Sequence, residues 1–485
     1  MNKSQLLELN TKGITRTWQP IIMRSWLLIS DVFALLLAGS LAILIRQLFG
    51  RMLYQEYHRL LGLVICGLIP IYFSKRLYPG IGISPPDEIR KLFWGTSAGM
   101  ALVAILLFLS QRGLRYSRSI FVLFWFFAVF FLPVMRLVAR HWGVKENIWQ
   151  EPVAIIGRGQ KILECQAHLE KYPLYGFKPA LLINFGKKST INQTEIGDIP
   201  MIDGIEAFKD PSIMQRSGIK TALIVDGDAF KPYKGLLLME EDFQIRRMII
   251  ISELGWVGGA CVFPCDLQGI LGLEVQRNLF LRRHRWMKRG FEITLIVLSI
   301  PMILPFLTLI AILICLDSHG GPFYQHSRLG YGGIPINVLK FRTMVKNGDE
   351  VLADYLENNP ELRTEWAEKR KLIHDPRVTR VGRVLRRISV DELPQLWNVL
   401  LGEMSLVGPR PIVEDEIEKY NSSYTAFTKV KPGMTGMWQV SGRNDVSYDE
   451  RVSLDEYYVR HWSIWLDIYI LLMTFPAVFR KEGAY

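Results

Sequence analysis

FEITLIVLSIPMILPFLTLIAILICL, residues Phe291–Leu316, is the stretch that decides the architecture. It is apolar for longer than the roughly 20 residues a helix needs to cross a bilayer. Inside it stand Pro301 and Pro305, each of which removes a backbone donor and crowds the preceding turn. Two such interruptions allow a hairpin that enters the membrane and leaves by the same face, provided the freed carbonyls find partners. A fifth crossing, after the four apolar runs described next, is the other reading. Both embed this segment in a membrane.

Working towards the N-terminus, a basic collar of Arg277, Arg282, Arg283, His284, Arg285, Lys288 and Arg289 leads into the run. Four further apolar runs fill the first third of the chain: Ile22–Ile45, Leu60–Phe73, Leu92–Leu109 and Ile120–Val138. They are apolar on all faces, which suits membrane helices better than buried helices of a soluble protein. The second is the shortest. Lys3, Lys12, Arg16 and Arg24 precede the first run, and Lys75, Arg76, Arg90 and Lys91 follow the second. That small excess over the other two loops favours a cytoplasmic N-terminus. The polar opening residues do not form a cleavable signal peptide.

Between Glu151 and Glu253 the pattern becomes β-rich: Pro152–Ile156, Ala180–Ile183, Thr221–Val225 and Met248–Ile251 alternate with helix-like segments. Such alternation predicts a parallel α/β domain. Gly157-Arg158-Gly159 follows the first strand, where a helix start could hold a phosphate. Ile162 replaces the third glycine of the dinucleotide fingerprint, so a plain structural turn is the better reading, and a regulatory or assembly module is as open as a ligand-binding one.

The whole chain of 485 residues is 49% hydrophobic yet 21% charged, which is simplest if membrane and aqueous parts are segregated. Its net charge of +12 suits anionic headgroups, lipid phosphates or nucleotides. No nucleic-acid-binding motif occurs. Five scattered cysteines form neither a disulfide framework nor a zinc site.

Downstream of the decisive run, residues suited to phosphate accumulate. Lys340-Phe341-Arg342-Thr343-Met344 is followed by Asp375-Pro376-Arg377 and by arginines at 377, 380, 383 and 386. On a helix these form a broad cationic stripe, for solvent, headgroups or substrate. Next comes Ser389-Val390-Asp391-Glu392-Leu393-Pro394-Gln395-Leu396. Ser389 and Glu392 have capping-box spacing. The adjacent carboxylates could also bind a divalent cation together with a diphosphate, and one could act as a nucleophile. Pro409 and Pro411 hold Arg410 in an extended stretch, a preset guanidinium for phosphate oxygens. In Lys431–Asn444, Gln439 and Arg443 could meet a polar ligand, or the segment is a turn.

Lys340–Met344, Asp375–Arg377, Ser389–Leu396, Met404–Pro411 and Lys431–Asn444, in this order, resemble the bacterial sugar transferases of the polyprenyl-phosphate hexose-1-phosphate transferase family. The likeness implies an integral membrane α-helical N-terminal bundle at 1–148 and a cytosolic Rossmann-like α/β domain at 149–265. It implies an α-rich catalytic domain at 277–485 with a re-entrant membrane helix at 290–316. Asp391 would be the nucleophile that takes a phosphosugar from a UDP-sugar, and undecaprenyl phosphate would be the acceptor. Glu392, with Asp391, would hold Mg2+. Lys340, Arg342, Arg377, Arg410, Gln439 and Arg443 would bind substrate. The site would lie at the cytoplasmic face of a bacterial inner membrane, in a possible homodimer. Family members usually carry Ser-Pro at the hairpin break, whereas Leu304 precedes Pro305 here and Ser299 lies further back. A direct glycosyltransferase and a membrane-anchored nucleotide-sensing scaffold are the competing functions. The apolar Trp462–Phe479, which contains Asp467 and Pro476, reads as an interfacial helix rather than a crossing.

Overall fold

The computed structural model describes residues 3–49, 56–109, 117–185, 199–203, 219–225, 247–251, 262–266, 271–275, 279, 281–359, 375–420, 423–442 and 446–479. Two compact units are present, 1–255 and 256–485.

The first unit opens with helices α1 (Lys3–Leu48), α2 (Glu56–Ser74), α3 (Pro85–Leu109) and α4 (Arg118–Lys145), one for each apolar run. Pro20–Leu48, α3 and α4 are long and apolar enough to cross a membrane; α2 contains only a shorter apolar helix, Arg59–Ser74. Met23, Leu27, Leu35, Leu68, Ala128 and Leu132 fill the bundle core. Lodged among them is a charged network that the apolar pattern conceals. Arg136 donates from Nε to Asp31 Oδ1 at 2.8 Å and from Nη1 to Glu88 Oε1 at 2.7 Å. Arg140 Nη2 donates to the same Glu88 oxygen at 2.8 Å. Tyr78 donates its hydroxyl to Asp31. All four charged side chains are buried. Charges removed from water persist only when paired.

A five-stranded parallel sheet follows: β1 (Glu151–Gly157), β2 (Phe177–Asn184), β3 (Met201–Asp203), β4 (Thr221–Ile224) and β5 (Arg247–Ile250), in the order β3-β2-β1-β4-β5. Four of these correspond to the strands expected from sequence. The three-residue β3 was not, being too short to carry a period. Helix α5 (Gln160–Lys171) begins directly after Gly159, and its Ile162 and Cys165 pack on Val153, Ile155 and Leu182. Ala154, Ile156, Leu181 and Ile183 fill the opposite face. Central strands are thus apolar on both sides, as a parallel sheet requires.

The second unit starts with the antiparallel pair β6 (Val262–Asp266) and β7 (Leu271–Val275). Helix α6 (Arg282–Asp317) then carries the decisive run. Pro301 and Pro305 do not end it, contrary to the interruption expected, and the helix is continuous across both. Its first half buries Lys288, Glu292 and Ile296, and its second half buries Ile310 and Ile314. Between them no residue is buried, and Met302 is 84% exposed.

Strands β8 (Phe323–Leu329) and β9 (Pro335–Phe341) form an antiparallel hairpin with His326 opposite Val338 and Tyr324 opposite Lys340. After α7 (Gly348–Asn358) come α8 (Arg380–Arg387), a single 3-10 turn at Val390–Glu392, and α9 (Gln395–Leu401). Strands β10 (Ser405–Val407) and β11 (Gly433–Thr435) pair in parallel, and α10 (Met437–Ser441), α11 (Tyr448–His461) and α12 (Ile464–Phe479) complete the unit. Helix α12 is not merely interfacial. Leu466 and Ile470 join the core formed with Val399, Val407 and Tyr458, and Asp467 accepts from Lys288 Nζ at 2.7 Å. A buried partner explains an acid in an apolar helix.

Candidate active site

Asp391 and Glu392 reach their places through a strained turn. Ser389 sits at φ 53°, in the left-handed region that serine seldom occupies. Its side chain makes no capping hydrogen bond, so the expected capping box with Glu392 does not form. The left-handed residue instead ends α8 and starts the short turn bearing both acids. The arginine stripe is also shorter than expected. Helix α8 begins at Arg380, leaving Arg377 in the preceding turn, where it holds Asp375 through Nε at 2.9 Å and Nη2 at 2.7 Å. Gly382 packs α8 onto the Thr343 carbonyl, where a β-carbon would clash. That contact helps Arg386 Nε reach Thr343 Oγ1 at 2.8 Å.

Hairpin β8–β9 supplies the cations on another side of the dyad. Asn398 of α9 aligns it, accepting from Leu339 N at 2.9 Å and donating to Asn337 O at 2.8 Å. Next along β9, Lys340 Nζ donates to Glu392 Oε1 at 2.7 Å. Arg410 Nη2 donates to the same oxygen at 3.2 Å, and its guanidinium lies 5.9 Å from the Trp438 ring centre. A small open cavity lies beside these groups, about 310 Å³ with the solvent at its mouth included, lined by His326, Arg328, Lys340, Glu392, Gln395 and Arg410 among others.

The two carboxylates are driven in opposite directions. Burial raises Asp391 and the neighbouring Glu392 charge adds to it, against Lys340 and Arg386, leaving its pKa at about 6. Burial also opposes ionisation of Glu392, but Arg410 and Lys340 outweigh it and hold the pKa at about 2. Adjacent acids with divergent values are equipped for different tasks. Glu392 is a fixed anion between two cations. Asp391 accepts from no other side chain among the described residues and is ionised at neutral pH.

Of the residues singled out from sequence, Asp391, Glu392, Lys340 and Arg410 come together. Arg342 goes elsewhere: its guanidinium donates to the carbonyls of His319 at 2.7 Å and Ser318 at 2.9 Å, just beyond the end of α6. Gln439 donates to Met434 O at 3.3 Å, and its buried Oε1 has no partner among the described residues. Arg377 is held by Asp375. Arg443 lies outside the described residues. Sequence reasoning passed over His326, Arg328 and Gln395, and treated Arg386 only as part of the stripe. The alternation of β8 could have singled out His326 and Arg328, since it puts them on one face.

A dyad of unlike carboxylates beside a cationic cavity suits chemistry on a diphosphate. The comparisons agree. A family model described as bacterial sugar transferase matches residues 283–481. The chain is 36% identical to the undecaprenyl-phosphate galactose phosphotransferase of Salmonella typhimurium over 76% of this chain and 77% of that protein. It is 48% identical to the exopolysaccharide production protein ExoY of Rhizobium meliloti, over 41% of this chain and 88% of that protein. It is 39% identical to the UDP-glucose:undecaprenyl-phosphate glucose-1-phosphate transferase of Escherichia coli over 42% of each. The chain belongs to the bacterial sugar transferase family and is a phosphoglycosyl transferase of the membrane.

Proposed function

We propose that the chain transfers hexose-1-phosphate from a UDP-sugar to undecaprenyl phosphate, releasing UMP, as the first step of a surface polysaccharide. UDP-galactose is the favoured donor, because the galactose-specific relative matches over most of its length and the glucose-specific one over less than half. The observation that carries the mechanism is the Asp391–Glu392 pair, one acid fixed by Lys340 and Arg410, the other ionised and with no side-chain donor among the described residues.

In the first step an Asp391 carboxylate oxygen attacks the sugar-linked phosphorus. The bond to the UMP oxygen breaks, and UMP leaves with the electron pair. In the second, an oxygen of undecaprenyl phosphate attacks the same phosphorus and the bond to Asp391 breaks, restoring the carboxylate. No proton need move. Lys340 and Arg410 offset charge on the transferring group, the expected protein contribution to phosphoryl transfer. Arg386, which neighbours Asp391 and not Glu392 among the strongest influences on each acid, is suited to the acceptor phosphate. The covalent stage lets a soluble donor and a lipid acceptor use the site in turn.

Magnesium fits this donor set. Glu392 Oε1 is engaged by two cations, leaving its second oxygen and the Asp391 carboxylate as hard ligands. No group of three or more His, Cys, Asp or Glu occurs among the described residues, and magnesium commonly relies on one or two carboxylates plus substrate phosphates. When bound, it would neutralise the diphosphate.

The proposal includes a re-entrant α6 with the site at the cytoplasmic face. A straight helix of 36 residues would be about 54 Å long. Yet Glu292 in its first half accepts from Leu406 N of β10, while Ile310 and Ile314 in its second half cluster with Phe341 and with Leu385 of α8. Two halves held by short elements of the same unit, with an exposed apolar middle between them, support a bend that dips into the bilayer and returns.

Purified protein, undecaprenyl phosphate, magnesium and a panel of UDP-sugars test the reaction. UMP and a diphosphate-linked lipid are expected, with loss of both on chelation and recovery with added magnesium. Release of UDP instead would identify direct sugar transfer and end the proposal.

A further inference from the structure

The proposed reaction leaves His326, a cavity group, without a task. Lys340 and Arg410 are engaged with Glu392, and Arg328 approaches Glu416 at 3.9 Å. These cations match phosphate oxygens. His326 lines the same cavity from β8, and nothing in the phosphate chemistry requires it.

Its setting is specific. The two-residue period of β8 sets Tyr324, His326 and Arg328 on one face, and the register lays His326 against Val338, two residues from Lys340. The Tyr324 ring meets the imidazole edge-on, with centres 6.2 Å apart. Among the described residues the imidazole makes no hydrogen bond. Burial lowers its pKa, and the Arg328 and Lys340 charges lower it further, so the ring is neutral at cytoplasmic pH.

A neutral imidazole offers one N–H donor and one acceptor nitrogen; lysine and arginine only donate, and an ionised carboxylate only accepts. Phosphate oxygens want donors alone. A sugar hydroxyl both donates and accepts. Gln395 is the other neutral polar side chain of the lining, but it stands three residues from Glu392 and travels with the dyad. His326 comes from an independent strand, so its identity can vary without disturbing the acids.

We propose that His326 is a specificity-determining contact, hydrogen-bonding a hydroxyl of the hexose carried by the nucleotide-sugar donor. The inference rests on the cavity being the UDP-sugar site. Its test compares wild type, His326→Ala and His326→Gln with UDP-galactose and its 2-, 3-, 4- and 6-deoxy analogues, reading kcat/KM from UMP release. At one ring position, deoxygenation is expected to cost wild type about tenfold or more, the scale of one lost hydrogen bond. The same deoxygenation should cost His326→Ala far less, because the partner is already gone. His326→Gln, which keeps a donor and an acceptor, should recover part of the wild-type discrimination. Penalties that simply add at every position would overturn the contact while leaving UMP release, and hence the phosphotransferase reading, intact. Absence of UMP from wild type with any UDP-sugar would overturn both. A thermal unfolding midpoint close to wild type for each variant separates lost recognition from lost folding.

Discussion

The charged cluster inside the N-terminal bundle and the one around Glu392 are made of the same residue types and end in different states. In the bundle, two acids meet two arginines: Asp31 is held by Arg136, and Glu88 by Arg136 and Arg140. The Leu77 and Gly80 carbonyls and the Trp149 ring take up much of what remains. All of it is buried. Around Glu392 the balance is left open. Lys340 and Arg410 converge on one acid, Arg328 and Arg386 stand nearby, and Asp391 has no side-chain donor among the described residues. A closed network holds helices together; an open one with surplus positive charge awaits a polyanion. The comparison distinguishes a structural cluster from a catalytic one without appeal to residue identity.

Breaking the open cluster should have the largest effect. Asp391→Asn should lower UMP release by roughly 10³-fold or more, the scale of losing a catalytic nucleophile. It should also abolish the covalent phosphosugar adduct in mass analysis, with the unfolding midpoint unchanged. Residual turnover near wild type would mean that another group attacks.

Breaking the closed cluster should do the reverse. Arg136→Met leaves Asp31 buried without its main partner, which costs about 3–5 kcal/mol. Thermal unfolding in detergent should register that loss, while kcat per folded molecule stays close to wild type. A fall in kcat with no loss of stability would show that the bundle network takes part in turnover.

The pH profile sharpens the contrast further. The proposed attack needs Asp391 ionised, and its pKa is raised to about 6, so kcat/KM should fall as pH drops through that value. The loss should approach about tenfold per pH unit below it. Asp455, buried against Tyr420 and raised to about 7, would titrate in the same range. An acid limb that persists unmoved in Asp455→Asn assigns it to Asp391.

The smallest effect is expected at Arg342. Its guanidinium is committed to the carbonyls beyond α6, so Arg342→Gln should change kcat/KM by less than about threefold, with a modest stability loss. A hundredfold fall in kcat/KM would return Arg342 to the site.

Much of this was legible in sequence, for local reasons. The four apolar runs became α1–α4, and four of the five sheet strands fell where β-rich stretches alternate with helical ones. Of the motif residues, Glu392 meets Arg410 in the structure, with Asp391 beside it in the same turn. What escaped depended on partners distant in the chain. His326 and Arg328 belong to the cavity because β8 folds back on β9. Arg342 looked like a partner to Lys340 two residues earlier, but β9 ends at Phe341 and the chain turns its guanidinium away. Asp467 looked like a blemish in an apolar helix until Lys288, far earlier in the chain, was found against it.

By itself the sequence determined which segments are long apolar helices, that an α/β domain follows the first four of them along the chain, and which acids to suspect. Hydrophobic length, period and motif spacing are properties of neighbouring residues, so a linear reading finds them. Only the tertiary structure decided which charges are matched and which are left over. That depends on how far each is withdrawn from water and on what long-range contact brings beside it, and those two quantities divide Arg136 from Arg410 and Glu88 from Asp391.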